Sequence, residues 1–347
     1  MTTDMLDIKG RKIVLIGGAG FIGHHLALGL KAQGADVEVI DSLQVNNLMT
    51  FSSTDSGPNR NLYLYMINQR LELMNAAGIP LHIQDARDYH NLNKILVKIN
   101  PEVVVHLAAV SHAGKSNKDP YSTFDHSLRT LENALDYSRG NVKHFIYFSS
   151  SMVYGTFLTP EVSEDSPLNS LGIYGALKVA GERMVVAYNQ VFDLPYTIIR
   201  PSALYGPRCV SRRVGQIFVE SAMKGEPLRV DGDGSEKLDF TFVDDLVSGI
   251  IQTIRHPAAK NQTFNMTYGE SRSLNDLAKI VQQEFPNTAI QHVERDKLMP
   301  FRGTLSVNKA KKLIGYSPAN PIEIGFRKYI KWYKDLDPSG EIWKHTG

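Results

Sequence analysis

Tyr174 and Lys178 have the spacing of a catalytic pair. They are four residues apart, so on a helix both side chains project from one face. A tyrosine is a poor base at neutral pH, because its ordinary pKa lies near ~10. A lysine ammonium one turn away favours the phenolate. Lowering the pKa to near neutrality takes roughly 3 pH units, or about 4 kcal/mol, and would make Tyr174 a proton acceptor.

A serine cluster precedes this pair. Ser149, Ser150 and Ser151 directly follow an apolar run that reads as a strand. A tyrosine and a lysine at this spacing are common on exposed helices, so alone they indicate little. A hydroxyl at a strand end, however, can hold a reacting oxygen beside the tyrosine. We therefore predict Ser150, Tyr174 and Lys178 as catalytic residues.

A glycine-rich turn at 17–23 predicts a dinucleotide site. Gly17 allows a tight turn, Gly20 a close approach of a pyrophosphate, and Gly23 close packing of the following helix on the strand. The N–H groups and the dipole of that helix would point at the phosphates. Asp41 ends the next strand, where such folds place an acid on the adenosine ribose.

Asp41 also indicates which dinucleotide is bound. Its carboxylate would repel a 2′-phosphate, and Ser42, Leu43 and Gln44 offer no arginine to neutralise one. The sequence therefore predicts NAD rather than NADP as cofactor. The positive nicotinamide ring would then support the phenolate form of Tyr174 together with Lys178.

Alternating strand and helix patterns must position these residues. The predicted strands are Lys12–Gly17, Asp36–Asp41, Pro80–Asp85, Glu102–Ala109, His144–Ser151 and Tyr196–Pro201. The predicted helices are Phe21–Gln33, Tyr89–Ile99, Asp119–Ser138 and Tyr174–Phe192. Several strands are continuously apolar, as in a parallel sheet that is buried on both faces. The pattern predicts an α/β fold with a doubly wound parallel sheet, a Rossmann domain, over residues 1–204.

The pattern changes in the C-terminal part. Helices are predicted at Val214–Lys224, Asp244–Arg255 and Leu274–Glu284, separated by turn-rich stretches. We expect a smaller, mixed, mostly substrate-binding domain over 205–347. Some return to the Rossmann sheet is expected near 238–255.

The connection at 42–80 is longer than is usual between strands of such a sheet. Leu62, Met66 and Met74 lie near helical spacing and predict an amphipathic helix over Asn59–Ala77. The simplest interpretation is an extra surface helix packed on the sheet. A cofactor lid and an interface are the alternatives.

Composition excludes several classes of protein. The 347 residues include 38 Lys+Arg and 36 Asp+Glu, a formal charge of +2 that argues against a nucleic-acid partner. No apolar run approaches the length of a membrane span. Cys209 is the only cysteine, and the histidines lack ligand spacing, so no metal site is expected. Residues 1–11 lack the apolar core of a signal peptide, so a cytoplasmic protein is expected.

From about Lys12 to Pro318 the chain resembles an extended short-chain dehydrogenase/reductase of the NAD-dependent epimerase/dehydratase family. The stretches that carry this resemblance are Gly17–Gly23, Asp85–Asp88, His106–Ala109, Ser149–Gly155, Tyr174–Lys178, Arg200-Pro201, Tyr205–Arg208, Gly232–Gly234 and Asp239-Phe240. The resemblance implies nucleotide-sugar substrates. It also implies a homodimer formed through the helices Asp119–Ser138 and Tyr174–Phe192.

The resemblance also implies roles for individual residues. Asp85 would contact adenine, Ser150 would be the hydroxyl partner of Tyr174, and Lys178 would hold the nicotinamide ribose. The cofactor-binding residues expected from the turn and the resemblance together are Gly17, Gly20, Phe21, Ile22, Gly23, Asp41, Asp85, Ala86, Leu107, Ala108, Ala109, Tyr174 and Lys178.

The residues after Ser150 bear on the reaction. In the family, hydride transfer from sugar C4 gives a 4-keto sugar. The 4,6-dehydratases carry an Asp-Glu pair just after the catalytic hydroxyl, and uronate decarboxylases carry a nearby Glu. Here Ser151 and Met152 occupy those positions, and Met152 cannot exchange a proton. The sequence favours 4-epimerisation, or simple oxidation or reduction at C4.

Substrate recognition is less defined. Leu238 stands where the family often has an arginine, and Ala203 where UDP-hexose epimerases often have an asparagine, so the nucleotide and the sugar stay open. The candidate substrate-binding residues are Ser111, His112, Ser151, Arg208, Arg212 and Arg302, with Arg213 as a further cation. The alternatives are solvated surface arginines and a loop histidine without a role.

Two other functions remain open at this point. One is a same-fold dehydrogenase, reductase or dehydratase that acts on another substrate, such as a sterol or a free sugar acid. The other is a non-catalytic NAD-binding regulator, against which the intact Ser150, Tyr174 and Lys178 argue.

Overall fold

A seven-stranded parallel sheet organises the N-terminal part of the chain in the computed structural model. The structure describes residues 5–52, 59–110, 113–295 and 299–336. Ser111 and His112 lie outside these residues. The strands, in chain order, are β1 Lys12–Ile16, β2 Asp36–Asp41, β3 Leu81–Ile83, β4 Val103–His106, β5 His144–Phe148, β6 Glu161–Val162, β7 Tyr196–Arg200, β8 Leu204–Tyr205, β9 Leu228–Asp231, β10 Lys237–Leu238, β11 Thr241–Phe242, β12 Gln262–Asn265, β13 Arg272–Ser273, β14 Ile290–Val293 and β15 Thr304–Leu305.

The large sheet has the order β12-β7-β5-β4-β1-β2-β3, with all neighbours parallel. The order reverses between β1 and β4, where Ile16 pairs with His106. Open α/β sheets bind ligands at the carboxyl ends of the strands beside such a reversal. The doubly wound Rossmann fold predicted from the sequence is therefore confirmed.

Helices flank this sheet and build the rest of the molecule. They are α1 Phe21–Ala32, α2 Leu48–Phe51, α3 Arg60–Ala76, α4 Tyr89–Ile99, α5 Ala113–Lys118, α6 Pro120–Phe124, α7 Thr130–Ser138, α8 Gly172–Phe192, α9 Val214–Met223, α10 Val243–Arg255, α11 Leu274–Glu284, α12 Asn308–Ile314 and α13 Ile322–Leu336. A π-helical turn, Asp125–Arg129, joins α6 to α7. The predicted helix Asp119–Ser138 is thus present with one irregular turn in its middle.

Two apolar cores lie on opposite faces of the sheet, and a third lies in the C-terminal part. One sheet core includes Leu26, Val39 and Ile250, and the other includes Val14, Leu96 and Leu131. The third gathers the buried faces of α9, α11 and α13 around residues such as Phe218 and Phe326. Since these side chains are almost fully buried, this second part of the molecule has a core of its own.

The chain returns to the sheet region in two steps. Within the expected range 238–255, α10 packs on α1 and places Ile250 in a core of the sheet, whereas β11 pairs with β8. The strand that joins the large sheet is β12, beside β7. Its four residues, Gln-Thr-Phe-Asn, contain one fully buried apolar side chain, Phe264, so they carry almost no hydrophobic pattern.

Helix α3 confirms the amphipathic helix expected within 42–80. Leu62 and Met66 enter the C-terminal core, whereas Met74 enters a core of the sheet. Asn59 and Tyr63 also donate hydrogen bonds to Glu220 of α9, each at 2.7 Å. The helix therefore bridges the two parts of the molecule, which the simplest interpretation, a helix packed on the sheet alone, did not include.

Candidate active site

Ser150, Tyr174 and Lys178 come together where β5 ends against the start of α8. Ser150 caps a short 3-10 turn, with its Oγ accepting a hydrogen bond from the Met152 N–H at 3.2 Å. Its hydroxyl also lies close enough to Tyr174 to lower the pKa of that phenol. Lys178 lies one turn further along α8 and donates to the Phe148 carbonyl at 2.6 Å. The three predicted catalytic side chains thus share one buried site.

The pKa of Tyr174 is shifted by groups other than Lys178, which was expected to lower it. Burial raises the pKa of Tyr174 above its ordinary value, and the charge of Arg213 and the hydrogen bond with Ser150 act against this rise. The Lys178 ammonium lies 5.9 Å from the centre of the Tyr174 ring and is held by the Phe148 carbonyl. Burial lowers the pKa of Lys178 itself to about 8, although the charge of Glu182 opposes it.

A buried network supports the site from behind. Glu182, one turn after Lys178 on α8, accepts hydrogen bonds from the Ser149 hydroxyl and from Nε and Nη2 of Arg200, the latter two at 2.9 and 2.7 Å. Arg200 also donates to the Tyr154 hydroxyl at 2.8 Å. The charges are paired, so burial is tolerated and the end of β5 is fixed against α8. Sequence reasoning missed this network, although Arg200 belongs to one of the motifs that carry the family resemblance.

A cleft at the reversal point contains the glycine-rich turn. Gly17 has φ +79°, and a Cβ there would lie 2.6 Å from the Ala108 nitrogen. A Cβ at Gly23 would collide with the Gly18 oxygen, whereas at Gly20 the nearest atom would be 3.4 Å away. Gly20 therefore leaves room for a ligand above the turn. The predicted cofactor residues that line this cleft are Gly17, Gly20, Phe21, Ile22, Gly23, Asp41, Asp85, Ala86, Leu107, Ala108 and Ala109.

Asp41 is fixed at the edge of this cleft. Its two carboxylate oxygens accept hydrogen bonds from the backbone N–H groups of Ala19 and Leu43, at 2.9 and 2.7 Å. Burial raises the pKa of Asp41, and these two hydrogen bonds oppose the rise. Its place beside the turn fits a dinucleotide whose ribose hydroxyls donate to the carboxylate.

Asp85, expected at the adenine, forms an ion pair of its own. Arg87 contacts its carboxylate at 2.6 Å and also pairs with Asp125 at 2.8 Å. Burial raises the pKa of Asp85, but the hydrogen bonds from Arg87 outweigh burial and hold it below the ordinary value. The carboxylate therefore stays charged and oriented at the rim of the cleft.

The second cavity, about 680 Å³ in volume, holds the catalytic residues. Ser150, Tyr174 and Lys178 line it together with other residues of the N-terminal part, and the C-terminal part supplies the remaining walls. The residues that line both this substrate cavity and the cofactor cleft are Ile22, Leu107, Ala109, Leu204 and Arg213. A group bound in the cleft can therefore reach Tyr174.

Besides Lys178, four arginines and two acids line the substrate cavity. These residues are Arg212, Arg213, Arg229, Arg302, Asp231 and Glu236. Arg302 lies 3.8 Å from Glu236, and its Nη1 is 3.9 Å from the Met152 sulfur. Burial lowers the pKa of Arg302 to about 10, with the charge of Glu236 opposing it. Arg229, Asp231 and Glu236 were missed, because no motif in the sequence marks these three charged residues as lining a cavity.

Only some of the other predicted substrate-binding residues line the substrate cavity. Ser151 and Arg212 line the cavity, as do Leu238 and Ala203, the two departures from the family pattern. Arg208 lines neither the cleft nor the cavity, and its Nε donates to Nε2 of His24 on α1 at 3.0 Å. The expectation that Arg208 faces the substrate thus finds no support in its geometry.

Within the described residues, no group of three or more His, Cys, Asp or Glu side chains is placed to hold a metal ion. The helices of this same part of the chain are all too short or too polar to cross a membrane.

Comparisons with known proteins show the family to which the chain belongs. Residues 13–267 match the NAD dependent epimerase/dehydratase family. A putative UDP-glucose 4-epimerase of Methanocaldococcus jannaschii is 30% identical over 330 residues, covering 93% of this chain and 98% of that protein. A UDP-glucose 4-epimerase of Mycolicibacterium smegmatis is 29% identical over 339 residues, covering 93% and 99%.

A solved structure shows the same likeness in three dimensions. The UDP-glucuronic acid 4-epimerase from Bacillus cereus, in complex with UDP-glucuronic acid and NAD, superposes with a TM-score of 0.81 at 26% identity, covering 94% of this chain and 100% of that one. The glycine turn, the acid at the end of β2 and the Ser–Tyr–Lys site all lie in the region that the family match spans. This chain accordingly belongs to the NAD dependent epimerase/dehydratase family, whose members are NAD-dependent enzymes of the extended short-chain dehydrogenase/reductase type.

Proposed function

We propose that this enzyme acts at C4 of a nucleotide sugar, as a 4-epimerase or a C4 oxidoreductase, with Tyr174 as the base. The observation that carries the proposal is the wall beside Ser150. There, Met152 lies against Arg302, and both line the cavity that holds Tyr174. A thioether cannot protonate a leaving hydroxyl, so the position next to the reacting carbon supports hydride transfer alone.

Each catalytic residue has a defined part in the proposal. Tyr174 takes the proton of the C4 hydroxyl as a C=O bond forms at C4, and Ser150 donates a hydrogen bond to that oxygen. When bound, NAD supplies the acceptor for the C4 hydride and returns it. Reduction of a turned 4-keto sugar on its opposite face would give the epimer, and Tyr174 would then give the proton back to the C4 oxygen. Lys178 keeps a positive charge beside the phenolate.

The arginines of the cavity support a nucleoside diphosphate as the group that is recognised. Arg213, Arg229 and Arg302 face one cavity. Guanidinium groups bind phosphate oxygens through paired N–H donors. The relatives named above act on UDP-glucose or bind UDP-glucuronic acid. We therefore propose UDP-hexoses and UDP-hexuronic acids as the first substrates to test.

The proposal is tested by incubating the purified protein with NAD and a panel of nucleotide sugars and free sugars, followed by mass spectrometry and NMR. The expected product has the mass of the substrate, or is lighter by two hydrogens. In an isobaric product made in deuterated water, C4 should carry no deuterium, because the hydride returns within the enclosed site. A rapidly formed product that is lighter by one water would overturn the proposal, and would point to Glu236 or His112 as an acid.

A homodimer through α6, α7 and α8 is also part of the proposal. Tyr121 and Phe124 on α6 are 84% and 48% exposed, and Val191 on α8 is 69% exposed. Apolar side chains at these positions would be covered by a second copy. Light scattering at several protein concentrations should give twice the chain mass, and a monomer at all concentrations would exclude the dimer.

A further inference from the structure

Helix α3 brings a buried arginine to the cofactor cleft. Arg70 is 1% exposed and lies three residues after Ile67 and four before Met74, on the apolar face of the helix. It lines the cleft together with Gly17, Gly20 and Asp41. An arginine on an apolar face was the signal for this residue in the sequence, and it was overlooked.

One end of the Arg70 guanidinium is satisfied and the other is not. Nε and Nη2 both donate to the Arg208 carbonyl, at 3.0 and 2.5 Å. Nη1 is buried and has no hydrogen-bond partner among the described residues. Leaving a buried charged donor unpaired is strongly unfavourable, so such a group indicates a ligand.

The surroundings of Arg70 indicate that this ligand is an anion. Burial lowers the pKa of Arg70 to about 10, and the charge of Asp41 works against this. Both carboxylate oxygens of Asp41 already accept backbone hydrogen bonds. The opposite wall is the glycine turn, whose open face at Gly20 suits a pyrophosphate.

We infer that Arg70 binds an anionic oxygen of the cofactor pyrophosphate through Nη1, which makes the 42–80 connection part of the cofactor site. Asp41 then remains available to accept hydrogen bonds from the ribose hydroxyls. In this arrangement Arg70 binds the pyrophosphate and does not bind the 2′-phosphate that distinguishes NADP from NAD. The Arg70 side chain is held in a fixed position. Asn59 and Tyr63 bond the start of α3 to Glu220, and the Arg208 carbonyl accepts from the guanidinium.

The test compares ligands that share adenosine but differ in phosphate. Adenosine, ADP and NAD are titrated by calorimetry into the wild type, Arg70→Gln and Arg70→Lys. The glutamine amide can still donate to the Arg208 carbonyl but carries no charge. Arg70→Gln should weaken ADP and NAD by about 10- to 100-fold, the range of a lost charge-assisted hydrogen bond, and adenosine by less than about twofold. Arg70→Lys should lose less, since it keeps the charge.

Arg60→Met is the matched control, because it removes the same charge from the start of the same helix, and Arg60 does not line the cleft. Its affinities should equal those of the wild type. Equal weakening of adenosine and ADP in Arg70→Gln would overturn the inference and leave Arg70 a structural role only. Unchanged ADP affinity in both Arg70 variants would overturn it as well.

Discussion

The cofactor cleft and the substrate cavity are adjacent but are built in different ways. The cleft is lined largely by short stretches at the ends of β1, β2 and β4, where backbone and small side chains face the ligand. The cavity collects charged side chains from distant segments, including Arg213, Arg229 and Arg302. Short motifs at strand ends can be recognised from neighbouring residues in the sequence. The sequence does not show which charged residues from distant segments come together in one cavity. The difference explains why the cofactor could be predicted in detail and the substrate only by class.

The two sites also differ in how their charges are satisfied. In the cleft, Asp85 is paired with Arg87, two residues away, and Asp41 accepts from the backbone N–H groups of Leu43 and of Ala19 in the glycine turn. In the cavity, Glu236 lies 3.4 Å from Arg295 and 3.8 Å from Arg302, residues far away in sequence. The cavity thus keeps an excess of positive charge that a diphosphate can neutralise.

Tyr174→Phe should have the largest effect, and it should separate catalysis from both binding sites. It removes the proton acceptor but keeps the ring, so turnover should fall by roughly 10²-fold or more. Steady-state kinetics measures this, and calorimetry should show unchanged NAD affinity. Tyr65→Phe is the control, since that tyrosine is exposed on α3 and lines neither the cleft nor the cavity. Near-full activity of Tyr174→Phe would exclude the assigned mechanism.

Lys178→Met should make the protein more stable at about pH 7 while it reduces activity. Burial lowers the pKa of Lys178 to about 8 from the ordinary 10.5, so its charged form destabilises the folded state by about 3 kcal/mol, partly offset by the bond to the Phe148 carbonyl. This destabilisation is fully present below about pH 8 and disappears as the pH rises towards 10.5.

Urea unfolding at several pH values measures this difference between Lys178→Met and the wild type. The gain in the free energy of unfolding should shrink as the pH rises above about 8. Lys98→Met, at an exposed position of α4, should show no such gain. A Lys178→Met protein that is less stable than the wild type at every pH would contradict the prediction.

Arg302→Met should affect the substrate cavity alone. A lost charge-assisted contact to phosphate weakens binding by about 10- to 100-fold, so KM should rise by that factor with a smaller change in kcat. Calorimetry with UDP measures the same loss without turnover, and NAD affinity should be unchanged. Arg272→Met, outside both sites, is the charge-matched control. A fall in kcat with constant UDP affinity would instead place Arg302 in the chemistry.

Asp41→Ala should have the smallest effect, confined to the cofactor cleft. Without the carboxylate that repels a 2′-phosphate, the preference for NAD over NADP should fall by about tenfold. Competition binding measures the ratio of the NAD and NADP affinities. The substitution leaves the N–H groups of Ala19 and Leu43 unpaired, but a loss of affinity from this cause affects both cofactors and cancels in the ratio. Asp85→Ala should leave the ratio unchanged. A wild type that prefers NADP would show that the interpretation of Asp41 is wrong.

Elements with a clear periodic pattern were predictable within a few residues. Strand β2 and helices α4 and α11 have the predicted bounds Asp36–Asp41, Tyr89–Ile99 and Leu274–Glu284. Strand β12 was not predictable, because it is a strand only through backbone pairing with β7. Arg208 was expected in the cavity from its motif. In the structure its backbone is left-handed, with φ +62°, and its side chain donates a hydrogen bond to His24 instead.

The sequence by itself determined the sheet, the glycine turn, the acid at Asp41 and the pairing of Tyr174 with Lys178, since each follows from spacing along one strand or one helix. Only the tertiary structure decided that Arg70 enters the cofactor cleft, that Arg213 rather than Lys178 opposes the effect of burial on Tyr174, and that Arg302 rests on Met152. Those contacts join residues that are far apart in the chain. Which of the charges are buried together therefore depends on how the two parts of the molecule pack, and no local pattern encodes it.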